Sequence, residues 1–313
     1  MALRIAKKGV AFTLISLVFL TLVFFSLESE KDYSLRQESS VVGSRVRATD
    51  FFIYDLERDI ERGTYIAGFR SLLGLQQYIT STGRYINNTP ETLQEILVYG
   101  TINGSYVSVM NETQLTVWIE RIKHEAAKIA VDLEYTINDV QAYHTDPWVV
   151  GIELNVSLNI SDRTGVASWD RDQLIATQIN ITTFEDPIYT VSTYGRVINT
   201  IQATNVTDFT DGTDTANLLY HLDNSLYIES ESAPSYLMRL SGNLSNSTYG
   251  IESLVNLKEL EDMLLDPKNK TCIDYYYFSN ETPADYFINH TYNWFRLDNE
   301  SGHLETYEAG HLI

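Results

Sequence analysis

Asp208, Asp211 and Asp214 recur at every third residue around Gly212 in the stretch TNVTDFTDGTDT, and carboxylates so spaced could gather oxygens around Ca²⁺. The stretch lacks the D-x-D-x-D-G order and closing glutamate of an EF-hand, so a calcium loop and a solvated acidic loop both fit it. The histidines, His124, His144, His221, His290, His303 and His311, form no H-E-x-x-H and no pair at metal-ligand spacing. His303 and His311, close to the C-terminus, read as exposed polar residues. Cys272 is the only cysteine, which rules out an intrachain disulfide and the usual zinc patterns; it reads as a buried small hydrophobe. G-x-S-x-G, Walker and G-x-G-x-x-G patterns are absent. No catalytic, cofactor-binding or metal residue is assigned. The 21 tyrosines and four tryptophans read mainly as core, with a patch for sugars or a neighbouring subunit as the alternative.

Asparagine carries a clearer chemical signal. Of 20 asparagines, 13 stand in N-x-S/T with x not proline: Asn87, Asn103, Asn111, Asn155, Asn159, Asn180, Asn205, Asn243, Asn246, Asn269, Asn280, Asn289 and Asn299. With Ser and Thr at 55 of 313 residues, chance would supply about three or four. Such a sequon is an acceptor for N-linked glycan and marks surface in an exported chain.

The elements that must present these residues begin with KKGVAFTLISLVFLTLVFFS, residues 7–26. Val10 to Leu27 carries no charge and, at about 1.5 Å per residue, is just long enough for a hydrocarbon core of roughly 30 Å. Arg4, Lys7 and Lys8 precede it and Glu28, Glu30 and Asp32 follow, so the positive-inside rule puts the N-terminus in the cytoplasm and the body outside. All 13 sequons lie on the outer side of that segment, in agreement. A cleaved secretory signal needs small residues at the end of the apolar run; Phe24-Phe25-Ser26-Leu27-Glu28 is bulky or charged there.

Two lysines, a glycine and an uninterrupted apolar helix resemble the class III signal of type IV pilins and archaellins. That resemblance implies cutting by a prepilin-type peptidase on the cytoplasmic side, between Gly9 and Val10, with the apolar helix retained. Phe12 to Ile15, FTLI, also resembles the start of a mature bacterial pilin, with Ala11 in place of the glycine. The fifth mature residue, usually glutamate in bacterial pilins, is Leu14 or Ser16 here; archaeal members commonly lack it. The likeness covers about the first 30 residues and the general plan of an archaeal pilin-like surface protein.

Net charge is −20, and residues 1–9 contribute +3, leaving −23 on the remainder. So acidic a chain disfavours nucleic acid or anionic lipid as a partner and fits solubility or salt adaptation. Residues 28–82 show apolar spacings near three and four at Val42, Val46, Ile53, Leu56, Ile60, Ile66, Phe69 and Leu73, a long amphipathic helix with bends or breaks expected at Gly43, Gly63, Gly68 and Gly74. Thr89-Pro90-Glu91 predicts a helix start, with Thr89 as the cap. A second stripe runs through Leu115, Trp118, Ile119, Ile122, Ala126 and Ile129. The period then becomes two: Trp148, Val150, Ile152, Leu154, Val156, Leu158 and Ile160 point one way, while Glu153, Asn155, Ser157 and Asn159 point the other. VDLEYTINDVQAY and LIATQINITTF read as companion strands, the latter with Ile175, Ile179 and Ile181 inward and Asn180 outward. A helix over Ser253–Asp266, stopped by Pro267, and strands at Ile273–Phe278 and Tyr292–Leu297 complete the forecast.

The expected fold is α+β: a transmembrane helix running into a long amphipathic helix, then an antiparallel sheet with packed helices. The expected layout is a basic leader at 1–9, a membrane helix at 10–27, a stalk at 28–82, an α+β region at 83–203, a loop or linker at 204–216 and a second α+β region at 217–313. The expected function is a membrane-anchored, extracellular, glycosylated pilin-like or pseudopilin-like subunit, its size favouring a minor or tip role. Its partners would be the bilayer through residues 10–27, the peptidase and pilin-like subunits. A single-pass adhesin or binding ectodomain is the second reading and a membrane-tethered enzyme the third.

Overall fold

A computed structural model describes residues 2–313, with side chains described except at residues 2–11, 29–36 and 38. The chain is mixed α+β. Helix α1 (Ala2–Thr82) is a single 81-residue helix, about 120 Å long at the usual rise. Nothing before Pro90 forbids it, since no proline precedes that residue. It stops where Gly83 takes φ 64° and its N–H closes on Ile79 O at 2.8 Å.

The breaks expected at the glycines are absent, since α1 runs through all four, and packing explains three of these glycines. A β-carbon on Gly63 would lie 2.7 Å from Trp118, on Gly68 2.8 Å from Ile179, and on Gly74 2.7 Å from Ile96. These positions let neighbouring elements press onto the helix backbone; Gly43, by contrast, has nothing closer than Arg47 at 4.0 Å. The buried side of α1 runs through Ile53, Leu56, Ile60, Ala67, Leu72, Leu75 and Ile79.

Helix α2 (Thr89–Tyr99) has Asn88, not Thr89, at its N-cap position, without a side-chain capping bond; Thr89 sits one residue inside and is buried. Strands β1 (Thr101–Ile102) and β2 (Ser105–Tyr106) form a small hairpin. Helix α3 (Leu115–Lys128) buries Leu115, Ile119 and Ala126; Ile129 falls at its C-cap and is 54 % exposed, outside the expected stripe.

The central sheet is an antiparallel meander of β3 (Val131–Asp146), β4 (Val149–Asp162) and β5 (Ser168–Asn180). The even residues Val150 to Ile160 of β4 are buried under α1, as the alternation requires. In β3 the inward positions are Val131, Leu133, Tyr135 and Ile137, then Val140, Ala142 and His144, opposite β4's even residues throughout. A bulge at Asn138 makes that change of phase. Its amide donates to Asn155 Oδ1 at 3.0 Å and Ser157 Oγ at 2.8 Å on the outer face.

The remaining elements are short: α4 (Pro187–Ser192), α5 (Ala216–Asp223), β6 (Tyr227–Glu229), α6 (Tyr236–Ser241), β7 (Ile251–Ser253), α7 (Leu257–Asp262), α8 (Asp274–Phe278), β8 (Asp285–Phe287), β9 (Arg296–Asp298) and α9 (His303–Thr306). Strand β6 pairs with β7, and β8 with β9. The forecast is corrected at three places here. Ser253 ends a strand and its helix begins only at Leu257; Ile273–Phe278 holds a helix; and the strand near Tyr292 starts at Arg296. Two apolar clusters form the interior, one joining α1, α2, α3 and the sheet, the other joining Phe209, Leu218, Leu222, Cys272, Phe295 and Tyr307. Phe209, inside the 204–216 loop, is buried in the second cluster.

Candidate glycan-bearing surface, exposed helix and buried polar cluster

None of the 13 sequon asparagines is buried: Asn155 is half-buried and the other twelve are exposed. Asn155 and Asn159 share the outer face of β4, and Asn180 pairs with Val149, which puts it on that same face. In two sequons the asparagine oxygen is held by the sequon's own hydroxyl residue. Asn180 Oδ1 accepts from Thr182 N at 2.7 Å and Thr182 Oγ1 at 2.6 Å. Asn243 Oδ1 accepts from Ser245 N at 3.1 Å and Ser245 Oγ at 2.8 Å. Asn159 Nδ2 donates to Asp170 Oδ1 at 2.5 Å. A glycosylated amide keeps one N–H, so that bond is compatible with a sugar.

Gly9 and Val10, the expected cleavage pair, lie with Ala11 and the basic leader among the residues whose side chains are outside the description. Among the described residues no helix is long and apolar enough to cross a membrane. The described part, Phe12 to Leu27, is helical and exposed throughout, Phe12 at 77 % and Phe25 at 71 % among its large apolar side chains. Thr21 Oγ1 donates to Val18 O at 2.8 Å, turning one of its few hydroxyls onto its own backbone. No element of the protein covers this segment among the described residues.

The three aspartates weighed as either a calcium loop or a solvated acidic loop do not converge. Asp208, Asp211 and Asp214 are exposed; Asp214 Oδ1 accepts from Ala216 N at 3.0 Å at the start of α5, and Asp211 and Asp214 exchange backbone hydrogen bonds. Among the described residues no group of three or more His, Cys, Asp or Glu is placed to hold a metal ion. Cys272 is buried, and burial pushes its thiol up to about 12. His311 is exposed, its Nε2 2.6 Å from Gly212 O.

His303, expected at the surface, is buried, and it belongs to a polar cluster that the sequence does not announce. Its Nδ1 lies 2.7 Å from Asp298 Oδ1; its Nε2 lies 3.1 Å from Tyr275 OH and 3.5 Å from Glu252 Oε2. Burial works to lower its pKa, but the contacts with Asp298 and Glu252 prevail and raise it to about 9. Close by, Arg239 Nη1 reaches Asp186 Oδ2 at 2.5 Å and Asp274 Oδ2 at 2.8 Å, all three side chains being fully buried. Nε donates to Pro234 O at 3.3 Å and Nη2 to Ile251 O. Asp186 also accepts from Tyr227 OH at 2.8 Å and caps α4 through Ile188 N at 2.9 Å. Asp274 accepts from Ser253 Oγ at 2.9 Å; burial raises its pKa to about 6 against the pull of Arg239. One guanidinium serves two carboxylates, so a proton retained on Asp274 in mild acid relieves the surplus negative charge. The cluster ties α4, α6, β7, α8, β9 and α9 together.

Comparison of the chain with models of protein families, with curated proteins and with solved structures finds no match.

Proposed function

We propose that this chain is a membrane-anchored, extracellular, N-glycosylated surface protein of pilin-like plan, with a structural or adhesive rather than catalytic role. The carrying observation is the helix α1: one continuous element, bare and apolar at Phe12–Leu27, packed by its distal half onto an antiparallel sheet. An apolar segment so exposed needs a bilayer or other helices as its solvent. Residues 10–27 supply the anchor, the N-terminus is cytoplasmic and the body lies outside, where the exposed sequons can carry glycan. Burial of the His303 and Arg239 clusters supports a structural role, because ionised groups without solvent access serve packing better than turnover.

Assembly requires that the cytoplasmic end of the helix lose its charges. Drawing Arg4, Lys7 and Lys8 through hydrocarbon costs roughly 2.5–3.5 kcal/mol each on insertion scales, and cutting between Gly9 and Val10 removes all three together. The test is the N-terminal sequence of the surface protein. Val10 as first residue, and an uncut precursor in Gly9→Leu, support the reading. Ala2 or Met1 as first residue reduces it to a signal-anchored ectodomain. Correct cutting with protein only in detergent-soluble membranes, never in sheared filaments, rejects assembly and keeps processing.

A further inference from the structure

One cleft sits where the polar cluster meets the surface, and sequons stand on its walls. It encloses about 280 Å³, with Tyr275 and Tyr276 forming its aromatic wall. That volume falls below the roughly 300–1,000 Å³ of pockets for drug-sized ligands, so it suits one small ring. The two tyrosine rings lie 4.6 Å apart, and Tyr275 is held from behind by His303. Ser232, Ser245, Ser301 and Glu281 supply polar residues to the lining. The backing is fixed: Ser279 Oγ donates to Tyr276 O at 3.0 Å, and Lys270 Nζ donates to Ser279 O at 3.2 Å and Glu281 O at 2.6 Å.

This combination selects a ligand class. An aromatic face takes the C–H face of a sugar ring, and hydroxyls with a carboxylate take its O–H edge. No basic side chain lines the cleft, which disfavours phosphate or sulfate, and its single carboxylate is too little for a metal ion. Asn246 stands on the wall and is itself a sequon, Asn246-Ser247-Thr248. Asn280 lies between lining residues Ser279 and Glu281, and Asn243 adjoins Leu244, which also lines the cleft. Asn87 lines a different cleft, walled by Pro90, Leu93, Leu237 and Met238 without an aromatic ring, and is not assigned this role.

We infer that the cleft at Tyr276 is a saccharide seat, and that its occupant is a sugar of the glycan carried by Asn246 of the same chain. The inference rests on the glycosylated-surface reading above. The seated sugar folds back onto Tyr276 and shields the α8 end of the buried cluster, while glycans on the sheet face remain free.

The experiment uses the full-length protein from an N-glycosylating host, treated in its native state with a glycan-releasing amidase and followed site by site by glycopeptide mass spectrometry. Release at Asn246 is expected to be at least about tenfold slower than at Asn180, because it must wait for the sugar to leave its seat. Tyr276→Ala brings Asn246 to the Asn180 rate, and Tyr276→Trp preserves protection. Equal rates at Asn246 and Asn180 in the native protein overturn the assignment, as does an unmodified Asn246 beside an occupied Asn180. A chain bare at every sequon overturns the glycosylation reading and this one together. In a second arm, Asn246→Gln protein is titrated with the oligosaccharide released from the native chain. Binding lost with Tyr276→Ala supports the seat, and the same binding accompanied by unprotected Asn246 in the native chain transfers the occupant to another molecule and overturns the intramolecular source.

Discussion

Arg239 links its own helix α6 to the start of α4, to β7 and to α8, and its removal strands two buried carboxylates. Breaking a buried pair from one side costs about 3–5 kcal/mol, since the remaining charge has neither partner nor water. Arg239→Met is therefore expected to lower the urea midpoint by a corresponding amount, and adding Asp186→Asn and Asp274→Asn to recover part of it. His303 gives the molecule its alkaline limit. Its folded-state pKa is raised to about 9, so its contribution is complete below the unfolded value near 6.5 and is lost as pH rises through 9. His221 acts in the opposite direction: buried between Phe209 and Tyr307, it is lowered to about 4 by burial, and its contribution is lost as pH falls from 6.5 through 4. Asp274, raised to about 6, contributes most below its unfolded value and loses that as pH rises through 6, which opposes His221 in the acid range. Denaturation between pH 6.5 and 9.5 should show stability falling by up to about 1.4 kcal/mol per pH unit. His303→Gln should flatten that limb and leave the acid limb in place, whereas His221→Phe should alter the acid limb alone. An unchanged alkaline slope in His303→Gln would remove His303 from this role.

At the scale of elements, α1 contains its own internal control. Gly43→Ala meets open space and should stabilise the helix by up to about 1 kcal/mol through propensity. Gly63→Ala and Gly68→Ala place a methyl 2.7 Å from Trp118 and 2.8 Å from Ile179, where overpacking of about 1–3 kcal/mol exceeds the propensity gain. Thermal melts of the three variants should thus shift in opposite directions along one helix. This difference also shows where the sequence was readable. A glycine's intrinsic cost is visible in one dimension, but Trp118 and Ile179 reach α1 from 55 and 111 residues away, so the sequence reads as weakness what the fold uses as contact. Strand β4 was legible because one buried face and one wet face enforce period two without long-range help. Asp274–Phe278 was not: its tyrosines favour a strand, yet Arg239 and Ser253 hold Asp274 at the first turn of α8. For the same reason the sequons could be located and counted in advance, whereas His303, Glu252 and Asp298 acquire meaning only when β7, β9 and α9 meet.

For the whole molecule, charge decides how the solvent treats it. The outer sheet face carries Asp132, Glu134, Asp139, Glu153, Asp170 and Asp172, with Arg163 answering Asp132 at 2.8 Å and Lys123 answering Glu134 at 3.0 Å. Such exposed pairs are worth about 0–1 kcal/mol each, and salt erodes them. The repulsion of a chain with net charge −20 is spread over the entire surface, and salt relieves all of it at once. Between 0.1 and 1 M the screening length shrinks from about 10 to 3 Å, short enough to separate most neighbouring carboxylates. The buried Arg239 and His303 centres lie beyond the reach of those ions and contribute nothing to the trend. Stability of the chain in non-ionic detergent is therefore expected to rise with KCl over that range, and a falling midpoint would show that the surface pairs outweigh self-repulsion. Calcium separates screening from a specific site. Asp208, Asp211 and Asp214 are exposed and do not converge, with Asp214 already engaged at Ala216, so millimolar CaCl₂ at constant ionic strength should leave the midpoint where KCl set it. A saturable rise with calcium, abolished by Asp211→Asn, would instead mean that the ion draws the three carboxylates together.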